Sequence, residues 1–236
     1  MDGLEKLDGD APPQGLYRSA VSNSTSRNPD RLEVMLLLAR VLFGAVTVAA
    51  IGRQLGIHVD AGYNVVNFFS YFTNLANLFA AGVLLRGAAL SWAGRQPSPT
   101  DERLRGMAVV YMTVVGVVFS ILLRNVDLGS LRPWINVLLH YVMPAVVVAD
   151  WLLRPGAALA GARDWLLVPA GPLLYVAYVL GRGAMVGWYP YPFLDPRLGG
   201  YGSVAVHVIA IVALFLLTQW AVSASTGLLR SGRQSQ

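Results

Sequence analysis

An all-α polytopic membrane protein with six transmembrane helices is the fold class the sequence predicts, and three observations predict it. Only 13% of its 236 residues are charged, against about 25% in a soluble domain. The mean hydropathy is +0.53. The apolar residues fall into six runs, 33–57, 64–86, 105–124, 131–153, 163–181 and 201–225, each close to the ~20 residues that cross a hydrocarbon core. The expected organisation is a disordered cytoplasmic tail over 1–32, one six-helix domain over 33–226 and a short cytoplasmic tail over 227–236. Residues 1–32 are polar and lack the apolar core of a signal peptide.

Arginine placement predicts the orientation. With the N-terminus inside, eleven arginines fall in cytoplasmic segments and five in outer ones. That asymmetry favours N-in, C-in in an integral membrane protein. The same pattern accounts for the net charge of +5 as a topology signal, so no nucleic-acid partner is expected. The chain has no cysteine, which excludes disulfides, thiolate nucleophiles and cysteine metal sites. No cofactor or metal is expected, the partners are membrane lipids, and the sequence leaves the oligomeric state open.

The polar groups inside the runs carry the functional reading. In the fourth run, Arg132, Asn136 and His140 are spaced four apart, which on a helix gives one stripe. In the second, Asn67, Ser70, Asn74 and Asn77 share one face of a continuous helix, with Thr73 at its edge. Polar groups at bilayer depth are costly and point inward. They act as glue between helices or line a polar cavity. Counted from the outer ends, Ser70 lies roughly 9 Å down and His140 roughly 13 Å down, at 1.5 Å per residue. His207 and the phenols Tyr175 and Tyr178 fall at a similar level. The agreement in depth favours a site in the outer half of the bilayer.

A hydroxyl beside a histidine is the minimum for nucleophilic acyl transfer, because the imidazole takes the hydroxyl proton near neutral pH. Asn74, Asn77 and Asn136 are candidates to hold the oxyanion or to orient the ring. No carboxylate is evidently placed as a third member, although Asp127 and Asp195 lie on the outer side. Arg40, inside the first run, either snorkels or pairs with Asp150. Arg124 and Asp127 flank an outer turn and can pair. Pro144, Pro169 and Pro172 are expected to kink helices. The stretch 187–195 packs four aromatics and two prolines into nine residues. It is either an interfacial anchor or a cap over the site.

Three stretches resemble the androgen-induced/androgen-dependent family of multipass intramembrane threonine hydrolases. They are Trp134-x-Asn136-x-x-x-His140 with Pro144 and Asp150, Tyr191-Pro-Phe193-Leu-Asp195 preceded by Gly187 and Trp188, and Phe68-Phe-Ser70-Tyr71 with Asn77 seven residues after Ser70. The resemblance implies cleavage of branched fatty acid esters of hydroxy fatty acids. Ungapped, it sets the family's catalytic threonine on Ser70, with Thr73 three residues later as the competing nucleophile. The leading expectation is therefore a lipid ester hydrolase with Ser70 or Thr73 as nucleophile and His140 as base. Tyr178, Trp188, Tyr191, Phe193 and His207 are expected to bind substrate. The alternative is a non-catalytic lipid- or small-molecule-binding membrane protein. A haem or quinone protein using His140 and His207 is the remaining one.

Overall fold

The computed structural model describes residues 30–234 except 128 and 158. Residues 1–29, most of the expected N-terminal tail, and 235–236 lie outside the described residues. The protein is an all-α polytopic membrane protein, with no strand among the described residues. Helix α1 spans Arg31–Asp60 and starts where the Asp30 carboxylate accepts the Glu33 amide hydrogen at 2.7 Å. A five-residue helix α2, Val65–Phe69, leads into α3, Phe72–Trp92. Helix α4, Pro99–Leu123, opens on a capping box between Ser98 and Asp101, with Pro99 in its first turn. Helix α5 is Pro133–Leu153, α6 is Ala162–Val186 and α7 is Pro196–Gln234, interrupted at Gly200.

Six segments are long and apolar enough to cross a membrane: α1, α3, α4, α5, α6 and Pro196–Gly227 of α7. Helix α1 packs on α3 and α3 on α4. Helix α4 also meets α5 and α7, and α6 rests on α7. The middle position of α4 explains why it is the most buried span. Its Val110, Met112 and Val114 face neighbours and not lipid. Residues 227–234 of the expected C-terminal tail are helical and continue α7 to Gln234.

The largest departure from the sequence reading is in the second run, which is not one helix. Helix α2 ends with Ser70 as its C-cap, the chain is extended at Tyr71 (φ −80°, ψ 121°), and α3 starts at Phe72. Backbone freed at membrane depth is tolerated only where protein groups satisfy it. Here they do: the Asn74 amide donates to the Phe68 carbonyl at 2.8 Å, and the Tyr175 hydroxyl donates to the Ser70 carbonyl at 2.8 Å.

A second irregularity lies in α5, where Leu138–Val142 forms a π turn and the Met143 amide bonds the Leu138 carbonyl. A proline ring clashes with the carbonyl four residues earlier in an α-helix. For Pro144 that carbonyl belongs to His140, so the π turn relieves the clash by holding one extra residue. The widened turn is accommodated by Gly116 on α4. A Cβ at that glycine would lie 3.3 Å from the His140 carbonyl oxygen and 3.4 Å from the Pro144 ring. Pro169 and Pro172 sit within a continuous α6.

Candidate active site

The break in the second run turns Thr73, and not Ser70, toward the histidine. Thr73 Oγ1 lies 3.3 Å from His140 Nε2. Both residues are buried. Ser70 points the other way: its hydroxyl donates to the Val66 carbonyl at 2.7 Å and meets the Tyr178 hydroxyl at 3.0 Å. Ser70, the leading nucleophile of the sequence reading, therefore makes no contact with the ring. The continuous-helix assumption failed because Thr73 belongs to the first turn of a new helix whose phase is reset.

The direction of each hydrogen bond around Thr73 follows from one fixed acceptor. His140 Nδ1 lies 3.1 Å from the Asn136 backbone carbonyl. A carbonyl only accepts, so Nδ1 carries the ring proton in this contact. Nε2 is then a bare lone pair, and the Thr73 hydroxyl donates to it. The Tyr191 hydroxyl lies 3.4 Å from Thr73 Oγ1 and 3.3 Å from the Thr73 backbone nitrogen. It accepts from the Thr73 amide, and Thr73 Oγ1 is an acceptor within reach of its own hydrogen. The chain of donors thus runs from the Thr73 amide through Tyr191 and the Thr73 hydroxyl to His140.

Packing fixes the ring as firmly as the hydrogen bond does. Phe119 stacks on His140 at 3.8 Å between centroids with 18° between planes. The sequence reading missed Phe119, which is one phenylalanine among the eight of the chain. It also stands at the start of a π turn, Phe119–Leu123, opposite that of α5. π turns concentrate at functional sites.

Thr73 also borders a cavity of about 70 Å³. Its walls are apolar apart from Thr73, Tyr175 and Tyr191, and they include Phe72, Phe193 and Phe215. His140 does not line it, but two of its neighbours, Thr73 and Phe119, do. The 187–195 stretch reaches the cavity because Gly187 ends α6 at φ +67°, a left-handed conformation that glycine adopts without strain. The chain then folds inward and buries Tyr191 and Leu194. Tyr191 and Phe193 stack in parallel at 5.1 Å.

The remaining candidates divide. Asn77 donates to the Thr73 and Leu139 carbonyls at 2.9 and 3.1 Å, tying α3 to α5. Asn74 closes the helix break, as above. Asn136 orients His140 through its backbone, while its side-chain oxygen is buried without a partner. The Asn74 and Asn77 amides thus position backbone, and none of the three asparagines lines the cavity.

Tyr178, Trp188 and His207 do not line the cavity. Tyr178 holds Ser70, Trp188 packs edge-on against Tyr71 beneath Arg182, and His207 bonds the Ser203 carbonyl beside Phe193. Asp195 is taken by Arg197 at 2.6 Å, and that hydrogen bond holds its carboxyl below the usual carboxylate range. Asp127 accepts from the Gly129 amide and forms no ion pair with Arg124 among the described residues. Neither aspartate reaches the histidine. No grouping of three or more metal-ligating side chains occurs among the described residues.

No protein family, curated protein or solved structure matches the chain.

Proposed function

We propose that the protein is an intramembrane hydrolase of lipid esters, in which Thr73 is the nucleophile and His140 the general base. The observation that carries this reading is the 3.3 Å approach of Thr73 Oγ1 to His140 Nε2 at the wall of an apolar cavity. In the first step His140 Nε2 takes the hydroxyl proton as Thr73 Oγ1 attacks the ester carbonyl carbon. The tetrahedral intermediate collapses, the C–O bond to the alcohol breaks, and His140 returns the proton to the departing alkoxide. Water, deprotonated by His140, then attacks the acyl-Thr73 carbonyl, the bond to Thr73 Oγ1 breaks, and His140 returns the proton to Oγ1 as the acid leaves.

Two features favour this chemistry. Thr73 lies in the first turn of α3, where the helix dipole and free amides favour negative charge. The ring is held as the Nδ1–H tautomer, which leaves Nε2 ready to accept. No carboxylate assists, so the pair works as a dyad. At about 70 Å³ the cavity holds a few waters or a short acyl segment. A long acyl chain enters only as the 187–195 segment yields, which is the capping role for that stretch. The resemblance to intramembrane threonine hydrolases and a bacterial plasma-membrane location belong to the same reading.

The test is labelling of the detergent-solubilised protein by a fluorophosphonate probe. The wild type labels, and His140→Ala abolishes labelling. Undiminished labelling of His140→Ala removes the mechanism. The near-complete apolar lining favours one other reading, a lipid-binding protein without catalysis. Absence of wild-type labelling together with a co-purifying lipid supports that alternative.

A further inference from the structure

Asn74 and Asn77 are committed to backbone carbonyls, and Asn136 does not line the cavity, which leaves the developing negative charge of an acyl transfer without an assigned partner. We infer that the Tyr191 hydroxyl is the donor that stabilises it. This rests on the Thr73–His140 reading and adds a third catalytic residue, one supplied by the inward-folded segment between α6 and α7.

Direction is the first argument. The Asn136 carbonyl fixes the tautomer of His140, His140 fixes the Thr73 hydroxyl as a donor, and the Thr73 amide fixes Tyr191 as an acceptor. The one proton of the phenol has two acceptors within reach: Thr73 Oγ1, 3.4 Å away, and the Tyr175 hydroxyl, whose own hydrogen goes to the Ser70 carbonyl. Of the two, Thr73 Oγ1 is the oxygen that carries the reaction.

Position is the second. Thr73 and Tyr191 both line the cavity, whereas His140 does not. An ester carbonyl can approach Thr73 only from the cavity, and Tyr191 is already on that side. As Oγ1 bonds to the carbonyl carbon, negative charge moves from Oγ1 to the carbonyl oxygen. The phenol follows it by a small swing while keeping the Thr73 amide hydrogen.

Rigidity is the third. The ring is stacked on Phe193 and set edge-on to Tyr71 at 5.7 Å, and it is only 8% exposed. A donor held before charge develops costs no reorganisation when charge appears. No covalent step is added: Tyr191 keeps its proton throughout, and His140 alone transfers one.

The experiment uses the full chain in detergent, with a p-nitrophenyl acyl ester as substrate and the fluorophosphonate as label. Tyr191→Phe keeps the ring and its stacking and removes only the hydroxyl. The expected result is a kcat lower by about 10²-fold at little-changed KM. Fluorotyrosine incorporated at position 191 strengthens the donor and is expected to recover the rate that phenylalanine loses.

A kcat within threefold of wild type for Tyr191→Phe overturns the proposal. So does a loss confined to KM, because that reports a packing role. Thr73→Ala, measured alongside, separates the two failures. If Thr73→Ala is inactive and Tyr191→Phe is not, the dyad stands and the Tyr191 assignment falls. If Thr73→Ala retains activity, the hydrolase reading falls and takes this inference with it.

Discussion

Helix α5 carries two buried polar clusters, and they solve the membrane's demand in opposite ways. His140 belongs to a neutral cluster. Ten residues on, about 15 Å along the axis at helical rise, Asp150 belongs to a charged one. Asp150 accepts from Arg40 on α1 at 2.6 Å and from Arg105 on α4 at 2.9 Å. The side chains of all three are about nine-tenths buried. Arg105 also reaches the Arg154 carbonyl and lies over Trp151. In that cluster each carboxylate oxygen has its own arginine, and three helices are pinned by the result. The neutral cluster has no such closure. Its donors run in one direction and end on a lone pair, with one member facing a cavity. The contrast separates polarity spent on holding helices together from polarity left available for chemistry.

The sharpest way to break the comparison is Thr73→Ala. If the neutral cluster is a site, this change lowers fluorophosphonate labelling and ester hydrolysis by about 10³-fold or more, as removal of a nucleophile does. Thermal unfolding in detergent moves little. The mirror experiment is Asp150→Asn, which leaves two buried arginines without their carboxylate. The expected loss is about 3 kcal/mol of stability, read as a lower unfolding temperature, with labelling per folded molecule unchanged. A change in labelling without a change in stability would falsify the division of roles.

Two smaller effects sharpen it. Phe119→Leu removes the face on which His140 stacks, an interaction worth about 1 kcal/mol. The expected result is labelling slower by about five- to tenfold, with a folded protein by circular dichroism. Ser70→Ala is expected to change labelling by less than about threefold, because its hydroxyl serves Val66 and Tyr178. Abolished labelling in Ser70→Ala returns the nucleophile to Ser70.

Much of this architecture was readable from the chain alone. Six apolar runs became six helices of crossing length because hydrophobic length is set by bilayer thickness. The pairing of Arg40 with Asp150 was one of two options offered for that arginine, and burial decides it. His140 stood out because a histidine at bilayer depth needs a partner. The hydroxyl that lies beside it belongs to Thr73 and not to Ser70. Ser70 and Thr73 are three residues apart, and helical spacing assigns their faces only if the helix is unbroken. The break at Ser70–Tyr71 has no proline or glycine to announce it. It exists because Asn74 and Tyr175 satisfy the freed carbonyls, and one of those groups comes from a helix a hundred residues away. The π turn was equally hidden. Pro144 signals a disturbance, but its resolution depends on Gly116 of α4.

That last dependence bears on how such a protein diverges. The ring of Pro144 and the missing side chain of Gly116 set where the histidine stands, and neither has a reactive atom. A descendant can keep Thr73, His140 and Tyr191 and still lose the proposed reaction through a bulky residue at position 116. Those three residues would then stand in the sequence without the approach of hydroxyl to imidazole. Inheritance of the proposed function is therefore to be read from the glycine and the proline together with the hydroxyls and the imidazole.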